Sequence, residues 1–190
     1  KVMLFTGYRS YYGANLRLAV PVIISQVGQY SVQIVDTVMV GHLGEAVPLA
    51  AISFAYALSW PILFLGTGVA MGLTPLVGKS YARGDRTRSA SLFKNSLLLG
   101  TAMSVVLMSL LGLMIPLMGY MGQDPEILPI ARGYMWYQLA SALPMMLFAS
   151  CKQFLEGIGN TAHTMVIAII GNVLNIVLNG ALIYGWWIFP

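Results

Sequence analysis

The chain has 190 residues, 58% of them hydrophobic and only 8% charged, whereas soluble domains carry roughly a quarter charged side chains. Its formal charge of +4 is distributed through the gaps between apolar runs and builds no single basic face, which argues against a nucleic-acid partner. A single cysteine, Cys151, excludes a disulfide framework and a thiolate metal cluster.

Charge-free stretches cover 18–35, 46–78, 95–123, 133–151 and 157–190. Each approaches or exceeds the length that crosses a bilayer, since about 20 helical residues at about 1.5 Å rise span a hydrocarbon core of about 30 Å. The reading is an all-α, polytopic transmembrane bundle with helices at about 14–41, 47–77, 90–119, 128–154 and 161–186.

The first helix is no cleavable signal peptide, because it continues through Gln26, Gln29 and Gln33 to Asp36 without a small-residue cleavage site. At about 100° per residue those four side chains share one narrow face. A charge in mid-membrane costs roughly 2.5–3.5 kcal/mol on insertion scales. No Arg or Lys stands within a span to pair with Asp36; every basic residue lies in or near a loop. Two readings stay open: a functional carboxylate with polar partners, or a carboxylate hydrated at the membrane surface near His42.

Prolines 21, 61 and 144 and the run "GTGVAMG" interrupt the helices. Gly68 and Gly72 form a small-xxx-small pattern suited to close packing. The segment "GKSYARGD" contains Gly-Lys-Ser but lacks the upstream glycine of a phosphate loop. It reads as a connection in which Arg83 and Asp85 brace helix ends.

The fourth helix offers Tyr134, Tyr137, Gln138 and Ser141 at helical spacing, and the fifth carries Asn172, Asn175 and Asn179 on one face of an Ile/Val/Leu-rich segment. Such asparagines serve either as interhelical glue, worth about 0.6 kcal/mol each, or as neighbours for Asp36. All of the 10 basic residues except Arg132 fall on one side of the expected topology, which makes the N-terminus cytoplasmic. Five spans then leave Trp186 and Trp187 as an outer interfacial belt. The missing initial Met reads as an excerpt of a longer protein. His42 and His163 lie at opposite ends in this topology and no second membrane acid is present, so neither enzymatic chemistry nor an organic cofactor is expected.

Four stretches resemble the multidrug and toxic compound extrusion (MATE) transporters, most closely the bacterial NorM-type branch. They are "VDTVMVGHLG", "PLVGKSYARGD", "FLEGIGNT" and "NVLNIVLNGALIYG", in that order along the chain. The resemblance implies an inner-membrane antiporter of twelve helices in two six-helix lobes, exporting cationic or amphipathic drugs in exchange for protons or sodium ions. Residues 1–190 would form the N-terminal lobe without its sixth helix, with membrane lipid and the C-terminal lobe as partners.

The family places a cation-coupling carboxylate, a possible sodium site, at the position of Asp36, with polar partners at Asn175 and Asn179. The remaining stripe residues, Gln26, Gln29, Gln33, Asn172, Tyr134, Tyr137 and Gln138, are expected to line the cavity. Another branch has an acid where Asn179 stands, so this lobe holds one acid rather than two. The rival readings are a lipid-linked oligosaccharide flippase of the same superfamily, whose cavity needs cations for a pyrophosphate, and a non-transporting membrane subunit.

Overall fold

The computed structural model describes residues 3–42, 44 and 46–183. Among them there is no strand; the elements are α1 (Met3–Gly41), α2 (Ala46–Met71), α3 (Leu73–Ala82), α4 (Arg86–Leu117), a 3-10 turn at Met118–Tyr120, α5 (Ile127–Gly157) and α6 (Thr161–Ile183). They group into two units, α1 with α6 and α2 through α5.

Two boundaries differ most from the sequence expectation. The first helix begins at Met3 rather than near 14; the apolar pattern marks its lipid-soluble part alone. The expected helix at 47–77 divides at Gly72. There the Gly72 amide donates to the Val69 carbonyl at 3.3 Å, a tightened turn, and α3 then continues to Ala82. Trp186 and Trp187 lie outside the described residues.

The connection after α3 has clear local causes. Gly84 takes φ +74°, where a side chain is disfavoured. Asp85 caps α4, its carboxylate accepting from the Arg88 amide at 2.8 Å. Arg83 does not pair with Asp85; it forms the C-cap of α3.

In the α2–α5 unit one buried cluster joins Ala51 and Ala55 of α2, Leu111 and Ile115 of α4, Met118, and Ala131 and Met135 of α5. A second joins Ala70, Leu107, Ala142 and Met146. The order of these contacts makes α2 and α5 parallel, with α4 antiparallel to both. Close approach occurs at Gly66, where an added Cβ would stand 2.6 Å from Leu107 Cδ1 and 2.8 Å from Met146 Sδ. The expected pair is not the packing site: a Cβ on Gly68 would meet nothing within 4 Å.

Four segments are long and apolar enough to cross a membrane: Asn15–Gly41, Ala46–Ala82, Arg86–Tyr120 and Thr161–Ile183. The α5 helix is less apolar because Tyr134, Trp136, Tyr137 and Gln138 interrupt its first half. It nevertheless runs beside α2 and α3 from end to end: Ala131 packs near Ala51, and a Cβ on Gly157 would lie 2.8 Å from Val77 Cβ. Whatever thickness α2 and α3 traverse, α5 traverses with them.

Candidate functional site

The α1–α6 unit brings the acidic stripe of one helix against the asparagine stripe of the other. Asn179 donates through Nδ2 to Asp36 Oδ1 at 2.8 Å and lies 3.2 Å from Asn175 Oδ1, which its amide also reaches. Asn175 therefore reaches Asp36 only through Asn179, where the sequence reading gave both as neighbours. The other carboxylate oxygen, Oδ2, accepts no hydrogen bond among the described residues.

Two turns earlier the same helices touch at Gly28, where an added Cβ would stand 2.8 Å from Asn172 Nδ2. Gly28 pairs with Asn172 and Asp36 with Asn179, so α1 and α6 run parallel. Periodicity within α1 had no means of singling out Gly28; its one signal was a residue without side chain on a helix otherwise rich in β-branched residues.

Burial follows the same division. Asn172, Asn175 and Asn179 are half-buried, while Val173, Leu174, Val177 and Leu178 between them are exposed. A helix with its polar face inward and its apolar face outward suits a lipid surrounding. On α1, Gln26, Gln33 and Asp36 are half-buried and Gln29 is exposed. The three glutamine side chains donate to no other described residue. Thr37 binds the Gln33 carbonyl at 2.9 Å, a local back-bond within the helix.

The remaining stripe lies in the α2–α5 unit. Gln138 donates to the Tyr134 hydroxyl at 3.2 Å, and the Tyr134 ring lies 5.5 Å from that of Tyr56 on α2. Tyr137 is not part of this group; it is 79% exposed. Its position one residue from Gln138 turns it by about 100°, so the four-residue stripe divides into a packed pair, an outward ring and the exposed Ser141, whose hydroxyl donates to the Gln138 carbonyl at 2.8 Å.

Sequence reasoning also missed a carboxylate. Glu156 Oε1 is buried with no hydrogen-bond partner among the described residues, one helical turn from Lys152. Among the described residues no cluster of three His, Cys, Asp or Glu could hold a metal ion. The His163 ring instead binds the Asn160 side chain at the start of α6.

The Asp36 group can therefore hold a monovalent cation or a proton on one carboxylate oxygen while an amide steadies the other. It offers no nucleophile and no second acid.

The MatE family model matches residues 21–180. The chain is 33% identical over 184 residues to the multidrug resistance protein NorM of Photobacterium profundum, covering 97% of this chain and 40% of that protein. It is 36% identical over 166 residues to a probable multidrug resistance protein NorM of Photorhabdus laumondii, covering 87% of this chain and 36% of that protein. It thus spans about two fifths of the length of these curated relatives. Among solved structures it is similar, at a TM-score of 0.78 and 24% identity, to an outward-facing conformation of a multidrug resistance MATE family transporter of the MOP superfamily, over 90% of this chain and 38% of that one.

Proposed function

Because the chain belongs to the MatE family, we propose that it is the cation-coupling lobe of a secondary multidrug antiporter. In this reading the whole protein exports cationic or amphipathic drugs across the bacterial inner membrane in exchange for protons or sodium ions. The observation that carries it is the bond from Asn179 to Asp36 across two helices.

A carboxylate in a membrane-spanning segment is costly unless its charge is compensated. Here one oxygen receives an amide N–H and the other remains free for the coupling ion. Loading neutralises the group; release restores a charge that one N–H alone solvates poorly. The two states differ in electrostatic free energy, which is what coupling to a conformational change needs.

Gln26, Gln33 and Asn172 continue the polar face of Asp36 along α1 and α6, and we assign that face to the cavity wall. Broad drug recognition suits a surface of amides, which selects by size, charge and apolarity. The chain's coverage of about 40% of a NorM relative supports its assignment as one lobe, which we take as the first, completed by a sixth helix and a C-terminal lobe; the basic residues in the gaps between helices favour a cytoplasmic N-terminus.

The oligosaccharide flippase is disfavoured by charge. Its cavity must neutralise a pyrophosphate, and the segments Asn15–Gly41 and Thr161–Ile183 contain Arg17 as their sole basic residue other than histidine, close to the start of the first.

The test is Asp36→Asn in the transporter, reconstituted in vesicles with an imposed proton or sodium gradient. Expected is normal insertion and retained drug binding, with loss of gradient-driven efflux. A variant that inserts normally and still pumps drug at the parent rate would make Asp36 a hydrated surface carboxylate and remove the assignment.

A further inference from the structure

The break between α2 and α3 opens a groove of about 270 Å³ in the α2–α5 unit, and none of its lining residues belongs to the Asp36 site. Its walls are Leu73 and Leu76 of α3 and Leu92, Asn95 and Leu99 of α4, with Ser150 of α5 at the base. Leu76 and Leu99 leave 54% and 56% of their surface open. The Ser150 hydroxyl is already satisfied, within reach of the Met146 carbonyl at 3.1 Å and the Ser96 carbonyl at 3.2 Å. Apart from the Asn95 amide, the groove is lined to receive a hydrocarbon chain.

One end of the groove is basic. The α3 and α4 helices are pinned there by Ser80 and Ser89, whose hydroxyl oxygens stand 3.1 Å apart, each 3.0 Å from the Asp85 carbonyl oxygen. Arg88 precedes Leu92 by one turn, about 6 Å, on the same face of α4. Arg83 follows Leu76 by two turns, closing α3 as its C-cap. Both arginines are exposed and neither pairs with a carboxylate among the described residues; the nearby Asp85 carboxylate is engaged at the Arg88 amide. The opposite end, at Ala70 and Met146, is apolar and buried.

We propose that this groove seats one acyl chain of an anionic phospholipid, whose phosphate is held by Arg83 and Arg88 and whose ester region faces Asn95. The order of chemistry along the groove, two cations, an amide, then leucines, repeats the order along such a lipid. Guanidinium groups favour phosphate oxygens through paired N–H donors. With two unpaired cations at the mouth and the one nearby carboxylate, Asp85, engaged at a backbone amide, a headgroup that keeps its net negative charge is preferred over a zwitterionic one.

The experiment measures lipid retained by the purified protein in neutral detergent, by native mass spectrometry, after mixing with equal amounts of phosphatidylglycerol and phosphatidylcholine. Two basic contacts should give a preference on the order of tenfold for phosphatidylglycerol. Arg83→Gln with Arg88→Gln should abolish that preference, and both positions are exposed, so folding is not at stake. Asn95→Trp should expel the lipid with both arginines intact. A photoreactive phenylalanine analogue at Leu99 should crosslink to lipid. An unchanged preference in the double arginine variant would overturn the proposal. So would Leu99 adducts to polypeptide, which would mean another helix or a second copy covers the groove. Displacement of the lipid by glycerol phosphate alone would also overturn it, leaving a phosphate site without an acyl seat.

Discussion

Gly28 of α1 lies so close to Asn172 of α6 that a Cβ there would stand 2.8 Å from the amide nitrogen. This contact sets the separation of the two helices that carry Asp36 and Asn179. Gly28→Ala should be tolerated, because only the free end of the Asn172 side chain has to turn aside. Gly28→Leu should cost about 1–3 kcal/mol by overpacking and push α6 from α1, so that gradient-driven efflux falls although Asp36 is intact. Equal efflux from both variants at equal membrane levels would show that this separation does not govern the site.

Asn179 and Asn175 should not be equivalent. Asn179 touches the carboxylate at 2.8 Å, whereas Asn175 touches Asn179 at 3.2 Å. Asn179→Leu removes the charge-assisted donor directly, a bond worth about 1.5–3 kcal/mol, and should shift the pH or sodium dependence of efflux strongly. Asn175→Ala only frees the Asn179 amide to reorient and should shift it less. A larger effect at Asn175 would contradict the geometry.

These residues also show what a single sequence can and cannot specify. Charge-free stretches located the spanning helices because desolvated charge is the dominant cost in lipid, and helical spacing placed Asn172, Asn175 and Asn179 on one face. Which of them meets Asp36 depends on the axial register of two helices whose contacting residues are 143 apart in the chain, and no local pattern encodes that. The break at Gly72 falls at the end of the run "GTGVAMG", where the glycines and not the hydropathy, which runs unbroken through it, carry the signal. Tyr137 and Gln29, both exposed, share a stripe with their neighbours by spacing alone; packing separates them.

Topology is open to direct labelling, and the fold decides where the probes go. Ser80 and Ser89 are buried at 3% and 5% exposure and hold α3 to α4, so cysteines there would be shielded as well as disruptive. Arg86, the first residue of α4, and Gln123, in the connection beyond its far end, are both exposed. With exposed Cys151 replaced, Arg86→Cys should react with an impermeant reagent only after cell lysis and Gln123→Cys in intact cells. Reaction of both in intact cells would rule out a cytoplasmic α3–α4 connection.

The last prediction concerns Glu156, which lies beyond the uncharged 133–151 stretch near the end of α5. Its Oε1 is buried without a partner, and one turn away Lys152 is itself 8% exposed. A buried polar atom left without a hydrogen bond costs about 1–3 kcal/mol. Glu156→Leu removes that atom, so thermal unfolding in detergent at neutral pH should show the variant more stable than the parent by part of this amount. Lys152→Met removes the neighbouring cation and should lower stability while Glu156 is present, but not in the Glu156→Leu background. Equal unfolding temperatures for the parent and Glu156→Leu would show that the carboxylate is solvated after all and that the end of α5 opens to water in the protein.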